Sequence, residues 1–291
     1  GPQRLAGFQY PLVTRSKIID TVSMFGESFI SNIISVIAGL ALLVWGADRF
    51  VHGAASAARN FGVAPLLIGL TIVAFATSAP EILVSIVAAL QGEPTLAFGN
   101  AIGSNIVNIG LVLGLTATVR PIPLESATLR REMPALLAVS LLTVSLFLDT
   151  YLSRVDGLVM LTGLVIVMIW LARLGIRSAD NDTLKADFDA DWLVDGSIGI
   201  AQKLGVSEIV IGITLVAFGT SVPELAVSLV SALKGEYGLA IGNIVGSNIF
   251  NLLAVIGVAA AIQPAALAPS VLSLHIFVMV AFTLVLFAMT Y

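Results

Sequence analysis

The segment "LIGLTIVAFATSAPEILVSIVAALQGE" (Leu67–Glu93) returns later in the chain as "VIGITLVAFGTSVPELAVSLVSALKGE" (Val210–Glu236). "LAFGNAIGSNIVNIGLVLG" (Leu96–Gly114) likewise returns as "LAIGNIVGSNIFNLLAVIG" (Leu239–Gly257). The offset is constant, as from Glu81 to Glu224 (224 − 81 = 143). Upstream, "GADRFVHGAASAARNFGV" (Gly46–Val63) matches "DADWLVDGSIGIAQKLGV" (Asp189–Val206), and downstream Pro121 matches Pro264. One structural plan is used twice, so the fold is built from two equivalent halves.

The repeated segments are apolar. Phe29–Ala47, Leu66–Leu90, Ile102–Val119, Pro134–Leu148, Leu158–Ala172, Ile209–Leu233, Ile244–Ala261 and Val271–Met289 are dominated by Leu, Val, Ile, Ala, Gly and Phe. Several reach the roughly 20 residues that span a bilayer. Charged residues make up 11% of the chain, against about 25% in soluble domains. Such a chain has too little polar surface to cover a globule in water. A membrane β-barrel needs alternating segments of about 10 residues, and none is seen. The expected fold is therefore all-α, a polytopic transmembrane helical bundle. Repeated halves in such a protein mark a transporter whose site lies at the repeat interface near the bilayer midplane.

Other bulk properties exclude more than they assign. A net charge of −4 argues against a nucleic-acid partner, and the lack of Cys excludes disulfides and thiolate metal sites. Residues 1–23 read as an N-terminal tail, or as an expression remnant that begins with a protease scar at Gly1–Pro2. The first repeat is expected over 24–175, a cytoplasmic loop over 176–190, and the second repeat over 191–291.

The halves fail to match in one place. The apolar run before Asp48 corresponds to "ARLGIRSADNDTLKADFDA" (Ala172–Ala190), a charged stretch rather than a span. Inverted halves need five spans each. The expectation is that residues are missing between about Asp187 and Asp191, with a chain break near Ala190–Asp191, and again beyond Tyr291, so that the native chain has ten spans. With such a span restored, Arg59, Arg120, Arg130, Arg131, Arg173, Arg177, Lys185 and Lys234 fall on one side and Arg154 and Lys203 on the other. That bias makes the first side cytoplasmic and predicts a multi-pass protein of the cell (inner) membrane.

The motif "AFATSAPE" (Ala74–Glu81) concentrates oxygen. Pro80 has no N–H, so the carbonyl of Ala76 loses its helical donor and is pushed aside. Nearby carbonyls such as those of Ala74 and Thr77 are then free to turn from the helix axis. Thr77 and Ser78 add hydroxyls and Glu81 a carboxylate. Ala217, Thr220, Ser221 and Glu224 offer the same set around Pro223. Many oxygens in a short segment suit a hard cation; Ca²⁺ takes 6–8. A Pro in a membrane helix is often a kink and nothing more. A carboxylate in mid-span is different, because it costs about 3 kcal/mol at the helix centre and is usually functional. Two of them stand at matched positions here.

"GNAIGSNIVN" (Gly99–Asn108) and "GNIVGSNIFN" (Gly242–Asn251) are the expected facing elements. Gly99 and Gly103, like Gly242 and Gly246, lie four apart and allow close backbone approach. Ser104 and Asn108 share a face, as do Ser247 and Asn251, and supply neutral oxygens and hydrogen bonds to the carboxylates. Asn105 and Asn248 serve either helix–helix hydrogen bonds or a layer behind the ligands. Asp48 and Asp191 sit nearer helix ends and suit surface or gating roles. His52, matched by Asp195, and the isolated His275 read as structural.

The doubled "TSxPE" and "GSNIxN" segments resemble the two α-repeats of the sodium/calcium exchanger family, in the calcium/cation antiporter superfamily. The resemblance implies an inverted-repeat fold of ten helices with Glu81 and Glu224 as central ligands shared by Ca²⁺ and Na⁺. It implies carbonyl or hydroxyl ligands at Ala74, Thr77, Ser78, Ser104, Ala217, Thr220, Ser221 and Ser247. It also implies that the helices ending at Asp48 and Asp191 slide as a gate. Two departures matter. Asn251 stands where many sodium/calcium exchangers have Asp, which opens the stoichiometry. Gly103 and Gly246 stand where proton-coupled calcium relatives place Glu, which disfavours protons as the coupling ion.

The function expected from these residues is antiport of Ca²⁺ against Na⁺ by alternating access, in a monomer set in the lipid bilayer, with no cofactor and no enzymatic activity. Exchange of Ca²⁺ or another cation for H⁺ is the alternative. A channel would need no occlusion. An intramembrane hydrolase would need a Lys or His near Ser78 or Ser221, and the sequence places none there.

Overall fold

The computed structural model describes residues 44–58, 60, 62–122, 129–177, 217–267 and 271–290. The expected tail at 1–23, the junction near Ala190–Asp191, the helix containing Asp191, most of the loop at 176–190 and Tyr291 lie outside the described residues. Helix α1 spans 44–58. It is followed by α2 (Pro65–Thr77), α3 (Ala79–Leu90) and α4 (Pro94–Val119). Helices α5 (Leu129–Phe147) and α6 (Arg154–Arg177) complete the first half. The second half contains α7 (Ala217–Thr220), α8 (Val222–Leu233), α9 (Tyr237–Ile262) and α10 (Val271–Met289). Two short strands, β1 (Tyr151–Leu152) and β2 (Ala265–Ala266), pair antiparallel and tie the α5–α6 turn to the α9–α10 turn.

The repeat register survives into three dimensions. Every boundary of α3 and α4 reappears 143 positions on in α8 and α9 (79 to 222, 90 to 233, 94 to 237, 119 to 262). Both α3 and α8 end in the same way. The N–H of Glu93 bonds to Ala88 O at 2.8 Å and that of Gly92 to Ala89 O at 3.1 Å; Glu236 and Gly235 repeat this with Ser231 and Ala232. Gly92 and Gly235 sit at φ 84° and 81°, the left-handed position that closes such a cap. Single π-helical turns open at Asn108 in α4 and at Asn251 in α9.

Among the described residues, α4, α6 and α9 are each long and apolar enough to cross a membrane, and α2 and α3 are so only when taken together, across their bend. The apolar runs in the sequence understate these helices. Helix α9 begins at Tyr237 rather than Ile244, because its first turns pack buried against α2, and α6 begins at Arg154 rather than Leu158. Helix α6 runs to Arg177, past the expected loop start at 176. It faces outward along most of its length, with Leu158, Val165 and Ile166 exposed, as suits a lipid-facing helix. Helix α9 is the opposite case: 89% of its most apolar stretch is buried, and it runs through the middle of the bundle.

The halves interlock across their interface. Helix α2 packs on α9, and α7 packs on α4. Gly242 and Gly246 make the first contact possible. A Cβ at Gly246 would lie 2.5 Å from both Leu70 O and the Ala74 Cβ, and one at Gly242 would strike Leu66 O. The expected close approach is present on this copy of the motif.

Candidate functional site

The proline in each motif marks a break and not a simple kink. Ser78 sits at φ −85°, ψ 3°, the bridge region, and Ser221 at −82°, 3°. Each serine ends one helix and begins the next, with a bend of 42° between α2 and α3. Pro80 and Pro223 therefore lie in the first turn of a new helix, where the missing N–H is harmless. Glu81 and Glu224 lie in the same first turns, at the positive end of each helix dipole. The Ala74 and Ala217 carbonyls have not turned away as expected. They accept from the N–H of Ser78 at 2.9 Å and of Ser221 at 3.0 Å, because each helix stays intact up to its serine.

These two breaks bring the expected residues to one place. Thr77, Ser78, Glu81, Ser104, Asn108, Thr220, Ser221, Glu224, Ser247 and Asn251 are all buried, as are Ala74 and Ala217. The contacts run between the halves. Ser78 Oγ donates to Glu224 Oε1 at 3.2 Å. Thr77 Oγ1 and Ser247 Oγ are 3.2 Å apart, and Ser104 Oγ and Thr220 Oγ1 are 3.4 Å apart. Ser78 directly precedes the turn that bears Glu81, so its bond to Glu224 joins the two glutamate-bearing breaks. Both carboxylate oxygens of Glu81, Oε2 of Glu224 and Oγ of Ser221 have no hydrogen-bond partner. Among the described residues no group of three or more His, Asp or Glu side chains gathers here or elsewhere. The acidic charge of the site is therefore that of two glutamates, surrounded by neutral oxygens. A hard cation takes such a set of ligands.

Two residues of this cluster escape the sequence reading. Asn243 Oδ1 accepts from Thr77 Oγ1 at 2.8 Å, and Asn100 Oδ1 accepts from Thr220 Oγ1 at 3.1 Å. Their signal is the "GN" repeated in both copies. Asn108 and Asn251 are buried together with the site, but no hydrogen bond joins either to a glutamate. Asn108 Nδ2 donates to Asn248 Oδ1 at 3.2 Å, and Asn105 Nδ2 to Asn248 O at 3.2 Å. Asn251 has no partner on either amide atom. Asn105 and Asn248 thus act as helix–helix bonds between α4 and α9. Asp48 lies at the surface, paired with Lys234 Nζ at 2.8 Å, and His52 Nδ1 meets the same Nζ at 3.1 Å. His275 lies on α10, away from these contacts.

Known proteins resemble this chain along most of its length. The family model described as "Sodium/calcium exchanger protein" matches residues 31–174 and 188–291. "Putative antiporter CaxA" from Alkalimonas amylolytica is 44% identical over 283 residues, covering 88% of this chain and 89% of its own. "Sodium/calcium exchanger MaX1" from Methanosarcina acetivorans is 30% identical, covering 88% of this chain and 90% of its own. A solved structure of the sodium-calcium exchanger NCX_Mj, soaked with Na⁺ and Ca²⁺, superposes with a TM-score of 0.74 at 33% identity, covering 89% of this chain and 90% of that one.

Proposed function

The chain belongs to the sodium/calcium exchanger family, and from that premise we propose that it exchanges Ca²⁺ for Na⁺ at a buried site centred on Glu81 and Glu224. Membership makes it a cation antiporter of the cell's inner membrane. The observation that carries the finer reading is the full burial of two carboxylates, Glu81 and Glu224, in the first turns after two helix breaks that the Ser78–Glu224 hydrogen bond joins. Burying a charge costs several kcal/mol unless a partner compensates it. Two like charges in a low-dielectric core also repel strongly. A Ca²⁺ ion, or two or more Na⁺ ions, removes both penalties.

The exchange arises from the same charges. The two halves can close over the site when cations balance the glutamates, and closure over bare carboxylates is strongly opposed. A cation carried one way must then be replaced by another before the site returns. Thr77, Ser78 and Ser104, with Thr220, Ser221 and Ser247, supply the hydroxyls that stand in for water around a dehydrated ion, and the carbonyls of Ala74 and Ala217 add a lone pair beyond the helical bond that each already accepts. Asn108 and Asn251 add neutral oxygens and leave the negative charge at two.

Proton coupling is the second reading, favoured by that count of two: two protons would discharge the pair as two Na⁺ ions do. Uptake of radiolabelled Ca²⁺ into proteoliposomes, with Na⁺, K⁺ and H⁺ gradients imposed one at a time, tests both readings. The expected result is uptake driven by an outward Na⁺ gradient. Uptake driven only by an H⁺ gradient would replace Na⁺ by H⁺. Uptake that dissipates with no opposing gradient would mark a channel.

A further inference from the structure

The two halves share one register, but their polar contacts are not the same. Asn243 Nδ2 donates to Glu224 O at 3.2 Å and to Ser228 Oγ at 3.0 Å, while its Oδ1 takes the Thr77 hydroxyl. One side chain thus ties the first turn of α8 to α9 and to the opposite half. Asn100 occupies the equivalent place on α4 and takes the Thr220 hydroxyl. Its Nδ2 has no partner, and neither has Ser85 Oγ, the counterpart of Ser228. Both residues are buried. Other contacts are unequal too, though not all toward the same half: Glu224 receives the Ser78 hydroxyl while Ser221 Oγ is unpartnered, and Asn108 reaches Asn248 while Asn251 reaches nothing.

A buried amide N–H₂ and a buried hydroxyl left unbonded are unfavourable. Here their equivalents in the other half bond to each other. Nothing in the local sequence explains the difference, since Asn100, Ser85 and Glu81 repeat Asn243, Ser228 and Glu224. What differs is what the amide meets: Asn243 Nδ2 bonds to Glu224 O and Ser228 Oγ, and Asn100 Nδ2 bonds to neither counterpart on α3. Alternating access in a repeat transporter exchanges the conformations of its two halves.

Resting on the ion-site reading above, we infer that Asn100 and Asn243 are positioning residues that alternate: each locks the helix start bearing its glutamate in one access state and releases it in the other. In the conformation described here the Asn243 lock is made and the Asn100 lock is open. In the opposite state Asn100 Nδ2 takes Glu81 O and Ser85 Oγ, and Asn243 gives up Glu224 O and Ser228 Oγ.

Ser228→Ala and Ser85→Ala test this, since each removes the hydroxyl partner of one lock. Hydrogen–deuterium exchange is followed on peptides covering 79–90 and 222–233, in the full-length protein without Na⁺ or Ca²⁺. Ser228→Ala weakens the state described here. The ratio of the two states should change about fivefold, as expected of one buried hydrogen bond. Exchange then speeds in 222–233 and slows in 79–90. Ser85→Ala does the reverse, and Ser228→Thr, which keeps a hydroxyl, restores the original rates. If each variant loosens its own helix and leaves the other unchanged, or if both peptides move together, the alternation is wrong. Na⁺-driven Ca²⁺ uptake is measured on the same preparations. Opposed peptide shifts in a protein that exchanges no Ca²⁺ for Na⁺ would overturn the ion reading and keep the alternation. Exchange without opposed shifts would do the converse.

Discussion

Ser78 of the first repeat gives its hydroxyl to Glu224 of the second, at 3.2 Å, inside the protein. Neither residue belongs to the other's half, so a hydroxyl and a carboxylate 146 positions apart share one site. A hydrogen bond to a charged group contributes about 1.5–3 kcal/mol. Ser78→Ala should therefore raise the Ca²⁺ concentration for half-maximal uptake by roughly tenfold or more. An unchanged concentration dependence would mean that Ser78 caps a helix and does no more.

Glu81→Gln should reduce Ca²⁺ uptake to background, because one carboxylate cannot balance a dehydrated divalent ion. The same substitution removes a buried charge that has no bonded partner, so the ion-free protein should unfold at the same or a higher temperature. Thermal unfolding and uptake, measured side by side, separate loss of the site from loss of the fold.

Gly246→Ala places a methyl group 2.5 Å from Leu70 O and from the Ala74 Cβ, forcing α9 away from α2. Overpacking of this kind costs about 1–3 kcal/mol, and the displaced segment contains Ala74 and Thr77. Both the unfolding temperature and transport should fall. Gly114→Ala is the control, since nothing lies within 4 Å of its added methyl. It should be neutral, or stabilising by about 0.5–1 kcal/mol within a helix.

Asn251→Asp adds a third negative charge where the native amide bonds to nothing. An added carboxylate makes its neighbours harder to ionise and gives a further cation a place. The Hill slope for Na⁺ in driving Ca²⁺ flux should rise, or exchange should become dependent on pH, with Ca²⁺ binding less affected. Active transport with both profiles unchanged would reduce Asn251 to a packing residue.

The Lys234–Asp48 pair joins α8 to α1, with the two side chains 29% and 52% exposed. Exposed pairs contribute about 0–1 kcal/mol. Lys234→Met should thus shift the unfolding temperature little. A drop comparable to that of Gly246→Ala would show that Lys234 holds α1 through the Asp48 carbonyl and His52 as well.

Much of this protein is determined by its sequence alone. Long apolar runs admit only helices across a bilayer, because backbone polar groups have no other partner there. The repeat dictates two equivalent halves, and α3, α4, α8 and α9 keep its register to the residue. Paired glutamates in apolar segments point to the proposed site, since a charge at that depth is costly and must be answered. Tertiary structure decided three further things. It set the breaks at Ser78 and Ser221 and kept the Ala74 and Ala217 carbonyls in helical bonds, because bonding of the preceding helix persists to the serine before the proline begins a new one. It brought Asn243 to Thr77 and Asn100 to Thr220, partners 166 and 120 positions apart, beyond the reach of any local pattern. It also made Asn243 and Asn100 unequal. Identical side chains in identical local sequence differ there because a hydrogen bond depends on the placement of both partners, on α3 with α4 and on α8 with α9, which local sequence does not set.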